Sequence, residues 1–147
     1  MTYNIISTGS KGNAVVINDE ILIDCGVPFK KLAPVVKSLK LVLLTHIHGD
    51  HFKPSAVRAL HKERPTLRWG CCEWMARPLV DAGVDKRKID LLFPDIQFVY
   101  SDFTIEPVSL FHNVPNCGYK ITDSDGKRLF YATDTGSLGG IEAQGYD

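Results

Sequence analysis

The feature that most constrains the fold is a short apolar run that ends in a cluster of histidines. Leu41 to Leu44 form a continuous apolar stretch, which is typical of a strand buried on both faces. The next residues, Thr45 to His51, read T-H-I-H-G-D-H and bring three imidazoles and a carboxylate together. Binding of a metal ion such as Zn²⁺ is one of the few roles that explain so many of these side chains at the end of a buried strand. The sequence therefore predicts a metal site there.

The spacing within this cluster predicts two groups of ligands. Side chains two residues apart on extended backbone point the same way, so His46 and His48 can reach one ion. Asp50 and His51 follow Gly49, where the chain can turn sharply, and they approach the same cavity or a second ion from another direction. The alternative is a polar loop with chance histidines, which requires four of the five histidines to occupy metal-compatible places by accident.

Two later residues can complete the set of ligands. His112 follows the predicted strand Phe103 to Phe111, and Asp134 follows the apolar strand Arg128 to Ala132. Both lie at strand ends, where loops often carry function. Taken alone, His112 is as readily a half-buried structural histidine, and Asp134 is more readily a turn or capping residue. The histidine cluster is what makes them candidate ligands.

Three other polar features have simpler interpretations. His61 lies on a predicted helix without a partner motif and is interpreted as structural or surface. Asp24 lies at the end of a strand, directly before Cys25-Gly26, and is predicted to stabilise a turn. The segment Gly9 to Asn13 lacks Walker spacing, so a tight turn is predicted rather than a phosphate cradle.

Charge and composition exclude several classes of protein. The chain has 147 residues, 44% of them hydrophobic, which fits one globular domain with a sizeable core. Basic and acidic residues both number 17, so the chain has no net positive charge that would attract nucleic acid or an anionic membrane. The segment Lys53 to Lys88 carries nine basic and four acidic residues. It is interpreted first as a solvated helical surface, and alternatively as a face for a phosphorylated substrate.

The chain shows no signal peptide and no apolar segment near the about 20 residues of a membrane span. A cytoplasmic location without a membrane partner is therefore predicted. No pair of cysteines has the Cys-x-x-Cys spacing of a zinc or redox site. Reduced packing thiols are predicted at all four positions, which are Cys25, Cys71, Cys72 and Cys117.

The order of elements favours layered α/β or α+β architecture over pure βαβ winding, because hairpins precede and follow strand–helix units. Helices are predicted to begin near Pro28 and Pro54 and to cover 73–81, and residues 84–92 are predicted as a loop with a short helix. The predicted strands are 4–7, 14–17, 21–23, 41–44, 66–69, 97–100, 103–111, 119–122 and 128–132.

These motifs together resemble a known family. His46-x-His48-x-Asp50-His51 resembles the metal-binding signature of the metallo-β-lactamase-fold hydrolases. Ser7 to Asn13, with His112 to Pro115, is similar to a bacterial and phage branch of the fold that includes exonuclease-like proteins. Three further segments resemble family motifs: Leu22 to Gly26, whose Asp supports the site; Phe111 to Pro115, with the third histidine; and Tyr131 to Gly136, with the bridging aspartate.

The resemblance implies an α+β fold, an αββα sandwich, in a single domain over residues 1–147, and a binuclear metallohydrolase. His46, His48 and His112 would hold the first Zn²⁺, whereas Asp50 and His51 would hold the second, with Asp134 as the bridge. A metal-bound hydroxide would be the nucleophile, and Asp50 would also accept a proton from the water. Mn²⁺ or Fe²⁺ suits the same ligands.

One departure from the family pattern concerns the second metal. Family members normally supply a further histidine after the bridging aspartate, and this sequence has none between His112 and Asp147. We therefore expect an incomplete second half of the fold, a weaker second metal site and exposed sheet edges that favour homo-oligomers.

Three functions remain open from the sequence. The leading hypothesis is hydrolysis of phosphodiesters, in the manner of a nuclease, with nucleic acid as a possible partner. The alternatives are hydrolysis of a small thioester, lactone or β-lactam, and a non-catalytic metal-binding domain.

Overall fold

A computed structural model of the chain describes residues 1–136 and residue 146. The chain forms two compact units, one of residues 2–91 and one of residues 92–147 together with Met1. The prediction of a single domain stays a prediction, and most of the glycine-rich tail lies outside the described residues. In the described part of the chain, no helix is both long and apolar enough to cross a bilayer.

The first unit is built on a six-stranded sheet in which the strands follow their order in the chain. The first three strands are antiparallel, and the third to the sixth are parallel. The strands are β1 (Tyr3–Ser7), β2 (Ala14–Ile17), β3 (Ile21–Ile23), β4 (Leu41–Leu44), β5 (Arg68–Cys71) and β6 (Ile89–Leu91). The helices are α1 (Phe29–Leu32), α2 (Pro54–Glu63) and α3 (Ala76–Asp81), with 3₁₀ turns at Val36–Ser38, Glu73–Met75 and Lys86–Lys88.

The central strands of this sheet position the polar residues that follow them. All four residues of β4 are buried, as its apolar sequence predicts for a parallel strand covered on both faces. Because β3 and β4 are parallel, their carboxyl ends lie at the same edge of the sheet. Asp24 and Thr45 directly follow these two strands, so the sheet brings them side by side. Pro54 occupies the first turn of α2, where its missing N–H costs nothing.

The second unit is built on a four-stranded antiparallel sheet in the order β10-β9-β8-β7. The strands are β7 (Phe98–Tyr100), β8 (Phe103–Leu110), β9 (Asn116–Asp123) and β10 (Arg128–Tyr131). The predicted β9–β10 hairpin is confirmed, with Gly126 at a φ of +79° in the turn. Together the two units form the mixed α+β structure that the sequence predicts.

Several elements differ from the sequence predictions, among them β5, which covers Arg68–Cys71 instead of 66–69. The helical pattern after Pro28 is split into α1 and a 3₁₀ turn, because Pro34 cannot donate a backbone hydrogen bond. Strand β6 was missed because it has three residues and its central Asp90 pairs with Arg68 at 2.6 Å. Strand β9 begins three residues earlier than predicted, since Asn116 already pairs with Leu110.

The arginines of the segment 53–88 are held by contacts within the first unit. Arg64 donates to the backbone carbonyls of Val36, Lys37 and Leu39, which fastens the end of α2 to the chain before β4. The other four arginines contact carboxylates or carbonyls, in the pairs Arg58–Ala82, Arg68–Asp90, Arg77–Asp81 and Arg87–Asp85. This arrangement supports the interpretation of the segment as a solvated surface, and a phosphate-binding face would depend mainly on its four lysines.

The four cysteines are expected to be chemically inert in the folded protein. All four are free and buried, and burial raises the pKa of both Cys25 and Cys71 to about 12. Because the thiolate is the reactive form, the native protein should react with a disulfide reagent such as DTNB at pH 8 only as fast as it unfolds. An aliquot in guanidinium should release four equivalents of chromophore at once. Rapid release of even one equivalent from the native protein would contradict this prediction.

Candidate metal centre

The histidine cluster follows β4 and is largely buried. His46 and His51 are 0% and 1% exposed, and His48 is half-buried. A ligand nitrogen of His46 lies within 4.8 Å of one on His48 and of one on His51. The His51 Nε2 atom lies 3.7 Å from the Asp50 Oδ2 atom. The first unit therefore brings together four of the predicted ligands.

The bend between the two ligand pairs comes from a helical turn. The backbone N–H groups of His51 and Phe52 both donate to the carbonyl of His48, at 2.9 Å each. Gly49 lies at the centre of this turn, but it has no positive φ, and an added Cβ would meet nothing within 4 Å. The predicted turn after Gly49 is therefore present, but its backbone geometry does not require a glycine.

A buried carboxylate organises the two fully buried histidines. Asp24 is 0% exposed and accepts hydrogen bonds from the Thr45 backbone N–H at 2.9 Å and the Thr45 hydroxyl at 2.8 Å. The Nδ1 atom of His51 lies 2.6 Å from the Asp24 Oδ2 atom. The Thr45 hydroxyl also lies 2.8 Å from the Nδ1 atom of His46. Asp24 thus contacts His51 directly and His46 through Thr45.

This network selects the tautomers that present Nε2 as a ligand atom. An ionised carboxylate only accepts hydrogen bonds, so the proton between Asp24 and His51 belongs to Nδ1 of the imidazole. The Thr45 hydroxyl has one proton, which it donates to Asp24, so its oxygen accepts from Nδ1–H of His46. In both rings the Nε2 atom then carries the lone pair that a cation requires. A carboxylate behind a histidine is the usual support of metal-binding imidazoles.

The charge of Asp24 depends on these donors. Complete burial raises the pKa of the Asp24 carboxyl above its usual value, while the hydrogen bonds and charge of His51 and the hydrogen bonds from Thr45 lower it. Removing either partner would therefore favour the protonated acid. A protonated Asp24 would no longer enforce the tautomers described above.

Backbone hydrogen bonds hold the ligand loop, which is the stretch from His46 to His51, against two other segments. The N–H of Asn13 donates to the Asp50 carbonyl at 2.7 Å, and the N–H of Cys25 donates to the His51 carbonyl at 2.9 Å. Gly26 links the two supporting segments, since its N–H donates to the Asn13 carbonyl at 3.1 Å. The segments at Asn13, at Cys25-Gly26 and at Asp50-His51 are therefore hydrogen-bonded to one another.

The other two predicted ligands lie in the second unit. His112 follows β8 and Asp134 follows β10, and both side chains are exposed. Their segments are joined, because the Phe111 N–H donates to the Thr135 hydroxyl at 3.2 Å and the Gly136 N–H donates to the Phe111 carbonyl at 2.8 Å. The second unit thus brings these two segments together, and a six-residue ligand set stays a prediction.

Sequence reasoning missed two residues of the site. Thr45 stands between Asp24 and His46, and Asn13 contacts the loop that carries Asp50 and His51. The position of Thr45, between the apolar run and the first histidine, is the signal that points to a bridging hydroxyl. The contacts of Asp24 with Thr45 and His51 agree with the support role that the family resemblance implies.

His61 has the structural role that the sequence predicts. Its Nε2 atom accepts a hydrogen bond from the Asp85 backbone N–H at 3.2 Å, and its ring packs edge-on against Trp69. It therefore belongs to the packing of the first unit and not to the histidine cluster.

Comparison with known families identifies the fold of this site. Residues 19–144 match the family model described as "Beta-lactamase superfamily domain", which covers most of the chain and all six predicted ligands. The chain belongs to the beta-lactamase superfamily. Members of this superfamily are typically metal-dependent hydrolases. The predicted superfamily is confirmed, whereas the exonuclease-like branch stays a prediction.

Solved structures of the superfamily share the fold at low sequence identity. The metallo-beta-lactamase fold protein YhfI from Bacillus subtilis is 18% identical with a TM-score of 0.72, over 89% of this chain and 62% of that protein. Human tRNase Z, short form, is 17% identical with a TM-score of 0.67, over 95% of this chain and 72% of that protein. A motif mutant of a metallo-beta-lactamase from Cronobacter sakazakii is 16% identical with a TM-score of 0.65, over 97% of this chain and 63% of that protein. These likenesses show the metallo-β-lactamase fold.

A curated relative matches part of the chain more closely. It is named octanoyltransferase, from Porphyromonas gingivalis, and is 32% identical over an alignment of 116 residues that covers 69% of this chain and 23% of that protein. The matched part is less than a quarter of the relative, so its named activity does not carry over to this superfamily member.

The residues of the first unit fit the metal that the superfamily implies. Imidazole nitrogens and a carboxylate oxygen are ligands that suit Zn²⁺, Fe²⁺ and Mn²⁺. The fit is supported by the buried Asp24–Thr45 network, which turns the Nε2 atoms of His46 and His51 into acceptors.

The Asp24→Asn variant tests the support network. The amide can accept from one side only, so either Thr45 or His51 faces an NH₂ group and the histidine tautomers are no longer enforced. We expect metal affinity to fall about 10–100-fold, as is usual for such partners of a ligand. Chelator competition measures the affinity, and circular dichroism checks the fold. Asp19→Asn, at an exposed turn, is the control, and equal affinities in the two variants would contradict the role of Asp24.

Proposed function

We propose that this chain carries the centre of a metal-dependent hydrolase that cleaves phosphodiester bonds. The observation that carries the metal-dependent part of this proposal is the buried carboxylate of Asp24, which lies 2.6 Å from His51 and contacts His46 through Thr45. A fully buried carboxylate is costly unless it is hydrogen-bonded, and the partners of Asp24 are Thr45 and His51, which place it next to two candidate ligands. A polar loop with chance histidines needs no such network.

The proposed ligand assignment divides the cluster between two cations. His46 and His48 would hold the first ion, with His112 as the third ligand that the family resemblance implies. Asp50 and His51 would hold the second ion, and the resemblance implies Asp134 as a ligand shared by both. When bound, divalent cations in such a site lower the pKa of water toward neutrality and stabilise developing negative charge.

Asp50 has a second proposed role as a proton acceptor. Its side chain is half-buried, and its Oδ2 atom lies 3.7 Å from the His51 Nε2 atom. A carboxylate beside the ligand nitrogens can take a proton from the attacking water and later give it to the leaving oxygen. Asp24 is fully enclosed by Thr45 and His51, so it is not available for this step.

Three observations bear on the substrate. The segments Ser7 to Asn13 and His112 to Pro115 resemble the exonuclease-like branch, and tRNase Z shares the fold, which supports a phosphodiester. The lysines of the segment 53–88 add positive charge for a polyanion. The phosphodiester proposal therefore rests mainly on the resemblance. Small thioesters, lactones and β-lactams are the alternative, since proteins named metallo-beta-lactamases share the fold with TM-scores of 0.65 and 0.62.

A substrate panel with defined metals tests the proposal. The chain would be stripped of metal, reloaded with Zn²⁺ or Mn²⁺, and assayed on single-stranded DNA, duplex DNA, RNA, a thioester, a lactone and nitrocefin. We expect metal-dependent cleavage of a nucleic acid that stops with chelator and in a His48→Ala control. Cleavage of the small substrates alone would establish the alternative. Tight metal binding without any turnover would favour a non-catalytic metal-binding domain.

A further inference from the structure

Asn13 is a buried polar residue whose side chain contacts the ligand loop. It is 5% exposed and lies directly before β2. Its backbone N–H donates to the Asp50 carbonyl at 2.7 Å, and its side-chain Nδ2 donates to the same carbonyl at 3.0 Å. The opposite side of the amide contacts Gly9, because Oδ1 accepts from the Gly9 N–H at 3.1 Å and Nδ2 donates to the Gly9 carbonyl at 2.9 Å.

The same amide nitrogen lies against two predicted ligand atoms. The Asn13 Nδ2 atom is 3.1 Å from the His51 Nε2 atom and 3.5 Å from the Asp50 Oδ2 atom. An amide nitrogen has two hydrogens, and the carbonyls of Gly9 and Asp50 take both of them at the shorter distances. The nitrogen can therefore stay in place when a cation takes the lone pair of His51.

We propose that Asn13 is a positioning residue that sets the Asp50 and His51 ligand atoms for the second metal. The inference rests on the proposed function. Asparagine suits this place because it accepts from Gly9 on one side and donates to the Asp50 carbonyl on the other. Aspartate has the same shape but cannot donate, and alanine can do neither.

The alternative is that Asn13 only closes the turn that precedes β2. Other contacts in that turn do not involve the ligand loop: the Ser7 hydroxyl donates to the Gly12 carbonyl at 2.8 Å, and the Gly12 N–H donates to the Gly9 carbonyl at 3.2 Å. Ser7→Ala therefore weakens the turn without touching Asp50 or His51. This substitution separates closing of the turn from positioning of the ligands.

The experiment compares Asn13→Ala, Asn13→Asp and Ser7→Ala with the unaltered chain. Zn²⁺ and Mn²⁺ affinities would be measured by calorimetry against a chelator, and Co²⁺ absorption would report ligand geometry. We expect both Asn13 variants to bind the second equivalent about 10–100-fold more weakly and the first equivalent unchanged, as loss of a supporting contact predicts. Ser7→Ala should bind both equivalents normally.

Hydrogen exchange in the metal-free variants provides a readout that does not depend on metal. The backbone N–H groups of His51 and Phe52 should exchange faster in both Asn13 variants than in Ser7→Ala, because the loop has lost its side-chain anchor. Normal affinity in Asn13→Asp would overturn the inference, since that variant still accepts from Gly9. Failure of the unaltered chain to bind any metal would overturn the proposed function and this inference with it. Normal metal binding by all variants would overturn the inference alone.

Discussion

The His46→Ala variant is expected to lose its metal, with affinity for the first ion falling more than about 100-fold. The centroid of the His46 ring lies 5.1 Å from that of His48 and 4.2 Å from that of His51, so His46 contacts a member of each predicted ligand pair. It is also fully buried, and alanine would leave a space that a water molecule, a poorer ligand than imidazole, would enter. Elemental analysis after dialysis measures the metal that remains per chain.

A second histidine substitution in the first unit provides the control. His61→Ala removes a partly buried contact with Asp85 and Trp69 that does not involve the cluster, so it should lower stability without lowering metal content. His112→Ala should also remove the first ion, as the family resemblance implies. Its side chain is exposed, so unfolding should be little affected. If metal content survives in both His46→Ala and His112→Ala, the ligand assignment is wrong.

The cluster could be predicted from sequence because its ligands are neighbours in the chain. Four ligands lie within the stretch from His46 to His51, next to a strand whose burial is plain from four apolar residues. The supporting residues are harder to predict. Asp24 and Thr45 meet because β3 and β4 are parallel neighbours, and Asn13 reaches Asp50 from 37 residues away. Such pairings depend on tertiary contacts that local sequence patterns do not contain.

Some strands were also predictable because turn residues separate them. The hairpins β2–β3 and β9–β10 each have such residues between two strand-forming segments, so both appear in the sequence. Strand β6 is too short for its pattern to be distinguished from a loop. The helical periodicity after Pro28 is real, but Pro34 interrupts the hydrogen bonds, so the apolar side chains are buried without one continuous helix.

The Gly26→Ala variant is expected to disrupt the ligand loop more than the same substitution at Gly49, the glycine within that loop. A Cβ at Gly26 would overlap the Asp50 carbonyl oxygen and lie 2.7 Å from the His51 backbone nitrogen. Both are backbone atoms held by hydrogen bonds from Asn13 and within the loop, so they cannot move aside as a side chain can. The free energy of unfolding should fall by at least the roughly 1–3 kcal/mol typical of overpacking.

Gly49→Ala is the matched control, because a Cβ at Gly49 meets nothing within 4 Å and its φ is not positive. Urea unfolding of the metal-free proteins measures stability, and calorimetry measures binding of the second equivalent of metal. Gly26→Ala should be impaired in both, since the overlap pushes Asp50 and His51 away from β3, whereas Gly49→Ala should be close to the unaltered chain. The reverse order would mean that the loop is shaped by its own glycine. The packing of Gly26 against Asp50 would then have no part in placing the ligands.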